Sequence, residues 1–367
     1  MRQFLLPAVL SVTAALLTAC PGPTPTPAPD PYADLPGTPP APMTAAEKTV
    51  SISASLNPTR DSNGLLTLSI PGFVDSTGKP VKDLTDANFT VIEDGVLKGL
   101  ASTAANKDTV VPTDIVFVFD TTGSMSGAIT GVKESIVGFS NALQASGLDV
   151  RVGAVTFGDA FDTVSATSGI KGGVALGTPA APPSFDTAER PTFPLSSDFA
   201  AFREFIGSNS ARGGNDSPEN GMGATEFAYD KMGWRPGASR VLIMITDVVQ
   251  HQEGTGTIPA GTRWMPKTLA ATLDKLRGKA VVHVIGPDVT SPGAYVDMKA
   301  FAGAAATGGI FMKLETALDL TKLPVSNVLS SSYTLKFRPK VTVGEHTIRV
   351  RVESGAIKGE TTITATY

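Results

Sequence analysis

The feature that most constrains this chain is a run with no surface in it. Asp114-Ile115-Val116-Phe117-Val118-Phe119 is apolar on both faces after its first residue. A strand of that kind needs cover above and below, as a parallel sheet between helices provides. Ile129, Val132, Ile136, Phe139 and Leu143 follow at spacings of 3 and 4, one face of a helix. The alternation then repeats. Strands are expected at Val150–Phe157, Val241–Thr246, Ala280–Ile285 and Ile310–Leu314. Helices are expected at 198–207, 219–232, 266–277 and 295–305. This is the pattern of a doubly wound α/β domain over 110–328. Residues 162–197, rich in Gly, Pro, Ser and Thr, read as a surface insertion beside it.

The flanks read differently. Ile52, Ala54 and Leu56 alternate, as do Leu66, Leu68 and Ile70, then Phe89 and Val91. The C-terminal end matches with Tyr333, Leu335 and Phe337, then Ile348, Val350 and Val352, then Ile363, Ala365 and Tyr367. Neither block alone closes a sandwich. The economical expectation is one β-sandwich built from 48–109 and 329–367, with the α/β domain inserted.

The first residues read as an address. Phe4 to Leu17 is an apolar run behind Arg2, too short to span a membrane. Leu17-Thr18-Ala19-Cys20 resembles a bacterial lipoprotein cleavage box. That implies removal of residues 1–19 and lipid on Cys20, in a chain held at the cell envelope. Pro21 after the cysteine points to the outer membrane or cell surface. Residues 21–42 hold ten prolines and no Lys or Arg. Residues 20–47 are therefore expected to be a tether, whose proline-rich part, 21–42, reaches at most roughly 70 Å at ~3.1 Å per residue.

Lys and Arg number 30 against 34 Asp and Glu, with no basic stripe, which argues against a nucleic-acid partner. One cysteine excludes an internal disulfide and a cysteine-based zinc site. Enzyme signatures fail too. Asp120-Thr121-Thr122 lacks a second aspartate for phosphoryl transfer, and Gly123-Ser124-Met125-Ser126-Gly127 has Met where a nucleophile elbow needs Ser. The expectation is a non-enzyme.

Ligands of open α/β sheets lie at the carboxyl ends of the strands. Three stretches converge there: Asp120-Thr121-Thr122-Gly123-Ser124, Arg212 to Asn220, and Thr246-Asp247. Their carboxylates and hydroxyls suit a hard cation, Mg²⁺, Ca²⁺ or Mn²⁺. Read alone, Asp120 is also a candidate N-cap for the helix that follows.

Asp120-x-Thr122-x-Ser124 resembles the DxSxS signature of von Willebrand factor A (VWA) domains, whose metal-ion-dependent adhesion site (MIDAS) tops the sheet. Asp216-Ser217-Pro218-Glu219, and Thr246-Asp247 with His251, resemble the integrin β-subunit variant, itself inserted in a β-sandwich. The resemblance implies that Thr122, Ser124 and Glu219 ligate metal directly and that Asp120 and Asp247 act through water. Asp216 and His251 would be accessory. A carboxylate from a partner protein would complete the octahedron. Gly127 and Ala128 replace the carboxylate pair of that variant's neighbouring site, and Gly214 an asparagine of its third. The function implied is a membrane-anchored, metal-dependent adhesion or envelope-assembly module. The alternative is a structural envelope lipoprotein whose metal only orders loops.

Overall fold

The computed structural model describes residues 29–77, 79–104, 112–145, 148–159, 164–165, 190–214, 218–253, 268–289, 295–303, 305–314 and 332–367. Cys20 and Asp216 lie outside these residues, so the lipid anchor and one accessory site residue fall outside the description. The chain divides into residues 1–30 and Pro31–Tyr367. The second unit is described here. No helix among the described residues is long and apolar enough to cross a membrane.

Five short strands come first: β1 (Ser55–Asn57), β2 (Leu66–Ile70), β3 (Phe89–Glu93), β4 (Val96–Lys98) and β5 (Leu100–Ala104). The α/β part holds β6 (Thr113–Asp120), α1 (Ile129–Ala145), β7 (Val150–Phe157), β8 (Val164–Ser165), β9 (Pro191–Ser196), α2 (Phe199–Ser208) and α3 (Gly221–Lys231). It continues with β10 (Ser239–Ile245), α4 (Leu269–Leu276), β11 (Val281–Gly286) and β12 (Phe311–Lys313). β13 (Tyr333–Phe337), β14 (Glu345–Ser354) and β15 (Ile357–Thr366) close the chain.

Strands from both ends share two four-stranded antiparallel sheets, ordered β1-β2-β13-β5 and β15-β14-β3-β4. Their inner faces meet in one core containing Ile52, Leu68, Val91, Leu335 and Val350. Ala104, where the chain leaves this sandwich, pairs with Tyr333, where it returns. Adjacent exit and entry points are what let a whole domain sit between two strands.

The inserted sheet runs β12-β11-β10-β6-β7-β9-β8, with the first five strands parallel and β9 antiparallel to β7. Alternate residues face opposite layers. Phe117 and Phe119 pack under α1 and α2, while Val116 and Val118 pack under α3 and α4. The fold is therefore α/β, doubly wound and inserted in a β-sandwich.

Three expectations need correction. The 295–305 helix is only a 3-10 turn, Met298–Phe301, ended by Gly303 at φ +93°. The 162–197 insertion is not wholly a surface loop. Pro191–Ser196 enters the sheet beside β7 and buries Phe193. Only the two-residue β8 lies outside it, so Pro191 and Pro194 interrupt no long ladder.

The 20–47 tether is the third. Residues 33–43 lie along the sheet β15-β14-β3-β4. Leu35 N donates to Leu97 O and Gly99 N to Ala33 O, covering the edge of β4. The Arg349 and Arg351 guanidiniums donate to Pro40 O and Ala41 O, and Met43 N donates to Glu360 Oε1. A proline-rich strap lacks donors but keeps its carbonyls, which is what two outward arginines can hold.

Candidate metal centre

β6 and β10 are neighbours in register, and the chain turns away in opposite directions beyond them. That switch point puts Asp120 beside Thr246-Asp247. Asp120 is fully buried and caps no helix. Its Oδ1 accepts from Thr122 N at 2.8 Å and Thr122 Oγ1 at 2.7 Å, and its Oδ2 accepts from Thr246 Oγ1 at 2.9 Å. The Ser124 hydroxyl donates to Asp247 Oδ1 at 3.0 Å. Thr122 Oγ1 and Ser124 Oγ stand 3.1 Å apart.

Glu219 arrives from the loop before α3. Its backbone bridges Gln250, with His251 N donating to Glu219 O at 2.8 Å. Gly214 brings that loop onto the first one. The space a Cβ on Gly214 would take is 2.8 Å from Thr122 Cβ and 2.9 Å from Glu219 Oε1. Arg212 N donates to Thr121 O and Gly123 N to Gly213 O, locking the two loops together. The structure thus brings together Asp120, Thr122, Ser124, Glu219 and Asp247.

His251 is placed otherwise. Its imidazole is buried, 3.7 Å from Asp159 Oδ1 and edge-on to Tyr295. Three contributors carry no sequence signal of their own. Gln250 is a buried amide donating to Thr246 Oγ1 at 3.1 Å and accepting from Gly221 N at 2.6 Å. Buried Arg190 donates to Arg212 O at 2.8 Å. Gly214, read as a departure from the integrin pattern, is the cradle between loops.

The donor set fits a hard divalent ion. Adjacent oxygens around Mg²⁺ at ~2.1 Å stand roughly 3 Å apart, the spacing of the two hydroxyls. Both hydroxyl protons are committed outward, to Asp120 and Asp247, so lone pairs remain for a cation. Burial raises the Asp120 carboxyl to about 6, with the nearby charge of Asp247 adding to the rise. Burial also raises Asp247. Two strained carboxyls around neutral hydroxyls are what a cation would relieve. Among the described residues no three His, Cys, Asp or Glu side chains are grouped for a metal, so any site here depends on hydroxyls. Thr122 and Glu219 are buried, whereas Ser124 is exposed and Asp247 half-buried, leaving one side open.

Comparison with known proteins bears on the same segment. Residues 108–267 match the family model described as the integrin beta chain VWA domain. The matched segment runs through most of the doubly wound unit, from β6 past β10, and the likeness is to that domain. An alpha-protein kinase, vwkA, of Dictyostelium discoideum is 31% identical over 140 residues, covering 38% of this chain and 19% of the kinase. The chain thus spans about a fifth of that relative's length. Proximal thread matrix protein 1 from the mussel byssus, described with a zinc-occupied MIDAS motif, shares 16% identity at a TM-score of 0.38. That likeness covers 64% of this chain and 49% of the mussel protein. An aerotolerance-related membrane protein from Bacteroides fragilis shares 14% at a TM-score of 0.36, over 59% of this chain and 98% of that one.

Proposed function

We propose that this is an envelope-anchored binding module. Its VWA-type domain holds a divalent cation, Mg²⁺ or else Ca²⁺ or Mn²⁺, and captures an acidic side chain of a partner protein. The observation that carries the reading is the pair of hydroxyls, protons turned outward, with the open side at Ser124. Thr122, Ser124 and Glu219 would hold the ion. The ion supplies Lewis acidity toward an anionic ligand. Asp120 and Asp247 orient the hydroxyls and accept their protons. One carboxylate on the ion leaves it under-neutralised, hence receptive to a second. The exposure of Ser124 favours capture over a purely structural ion. The Leu17–Cys20 box supports lipid anchoring at the outer membrane or cell surface, with no enzymatic activity assigned.

The test is thermal unfolding of the full chain in chelator and in excess Mg²⁺. At about 100 times Kd a ligand adds about 2.7 kcal/mol. That corresponds to roughly 5–10 °C for a domain of about 200 residues. Ser124→Ala with Glu219→Ala is expected to abolish the shift. A wild-type shift in the double variant refutes the site.

A further inference from the structure

A lysine buried inside the sandwich is the second unusual chemistry here. Lys98 closes β4, opposite Val91 of β3. Val91 is fully buried in the sandwich core, and Glu93, two residues on, shares its face. The Lys98 and Glu93 side chains are 2% and 0% exposed. On the other side of Lys98 the strap places Asp34 directly opposite. Lys98 Nζ touches Asp34 Oδ1 and lies 3.2 Å from Glu93 Oε2.

We propose that this triad closes into an isopeptide bond joining Lys98 Nζ to Asp34 Cγ. A buried Lys–Glu pair is a poor stabilising device, since an apolar pair of similar volume does as well. It is an apt reaction site. Glu93 is held from behind by the Tyr367 hydroxyl and by Lys340 N, which donates to Oε2 at 2.9 Å. Asp34 is held by the ladder on each side of it, Leu35 N to Leu97 O and Gly99 N to Ala33 O. The absent Cβ of Gly99 matters. Ala33 O sits 2.6 Å from where it would be, and Pro31 O is closer still. Nucleophile, carboxyl and proton carrier are therefore fixed before reaction.

The step balances without a co-reactant. Glu93 takes a proton from the Lys98 ammonium, and the freed amine attacks Cγ of Asp34. The C–N bond forms. A carboxyl oxygen then leaves, carrying the proton returned by Glu93 and a second from the nitrogen. The sum is ammonium plus carboxylate giving amide plus water. In dilute solution that equilibrium favours the ions. Held together in the fold, the amine and carboxyl no longer meet as separate solutes, and orientation of this kind is worth effective molarities of about 10⁵–10⁸ M in the rate of closure. Asp34 is 55% exposed, which gives the water an exit.

The bond would turn the strap into a covalent staple across the β4 edge. If the chain is anchored at its N-terminal end, as proposed above, tension enters β4 at Asp34 and leaves the strap beyond it unloaded. The chemistry itself does not depend on that anchor or on the metal site.

Intact mass and tandem mass spectrometry of the full chain test the proposal. The wild type is expected one water lighter than its unlinked form. After trypsin, the peptide ending at Lys48 is expected joined to one that runs uncut through Lys98. Lys98→Arg keeps a cation against both carboxylates and is expected at full mass. Asp34→Asn is expected to close with loss of ammonia in place of water. Glu93→Gln and Gly99→Ala are expected to leave most of the chain unlinked. Wild-type protein at full mass with separate peptides, or a link at any other pair, overturns the assignment. Full linkage in Glu93→Gln removes Glu93 as the proton carrier and overturns the triad.

Discussion

Gly214→Ala tests the place where the loop carrying Gly214 and Glu219 is pressed onto the loop carrying Thr122. Gly214 sits at φ +78°, where an L residue costs about 1–2 kcal/mol. The added methyl would meet Thr122 Cβ at 2.8 Å and Glu219 Oε1 at 2.9 Å. Neither yields freely. Thr122 is tied to Asp120 through both its backbone N–H and its hydroxyl, and Glu219 is 2% exposed with its backbone bridged to Gln250. Overpacking of that kind costs about 1–3 kcal/mol. Together the α/β unit is expected to lose about 2–4 kcal/mol in chelator, after some relaxation of the 212–214 loop. The second consequence is sharper. A methyl wedged between Thr122 and Glu219 separates two of the three ligands, so the gain of about 2.7 kcal/mol from excess Mg²⁺ disappears as well. Urea unfolding of the full chain by tryptophan fluorescence, with and without Mg²⁺, reads both. A variant within about 0.5 kcal/mol of wild type that keeps its Mg²⁺ response refutes the packing described, since a surface glycine behaves that way.

Asp120→Asn is expected to move stability the other way in chelator. It removes a buried charge whose shift of roughly two pKa units is worth at most about 3 kcal/mol, at about 1.4 kcal/mol per unit. The same variant is expected to lose its Mg²⁺ response, and a clear drop in chelator-state stability would contradict the burial argument. At the sandwich end, His346 Nδ1 lies 2.8 Å from Asp94 Oδ2, and its ring stacks on Tyr367 at 4.5 Å. Hydrogen bonding to Asp94 raises the His346 pKa, and the bond from His346 leads the causes that lower Asp94 to about 2. His346 is raised in the fold, so its contribution is complete below the unfolded value of 6.5 and is lost as pH rises through the folded one. Asp94 is lowered, so its contribution is present above 3.8 and is lost as pH falls toward about 2. The pair is therefore strongest between about pH 4 and 6.5. An NMR titration is expected to put His346 above 6.5 and to bring it back in Asp94→Asn. An unchanged midpoint in that variant would remove the coupling.

Much of the fold was legible because burial leaves a pattern in sequence. Strand β6, apolar on both faces, requires two helical layers, and the spacing from Ile129 to Leu143 supplies one of them. The split sandwich was legible from alternation at both ends. The 295–305 helix failed because periodicity carries no record of the glycine that stops it. The strap was misread because ten prolines without a hydrophobic pattern describe a chain that builds no core of its own. Nothing in them shows that Arg349 and Arg351, more than three hundred residues later, offer donors to their carbonyls.

The site divides in the same way. Asp120, Thr122 and Ser124 share one turn, so their spacing alone places them together. Glu219 and Asp247 were candidates from the expected strand ends, with their roles implied by resemblance, and their meeting depends on strand order, which brings β6 beside β10 although more than a hundred residues separate them. Gln250, Arg190 and the Gly214 cradle have no local signature, because what defines each is the atom facing it across a loop. The same holds for Asp34, Glu93 and Lys98. Sequence fixes what is local, the period of burial and the chemistry of a single turn. Only the folded chain decides which distant carboxylate faces which hydroxyl or amine, because that contact is set by the sheet between them.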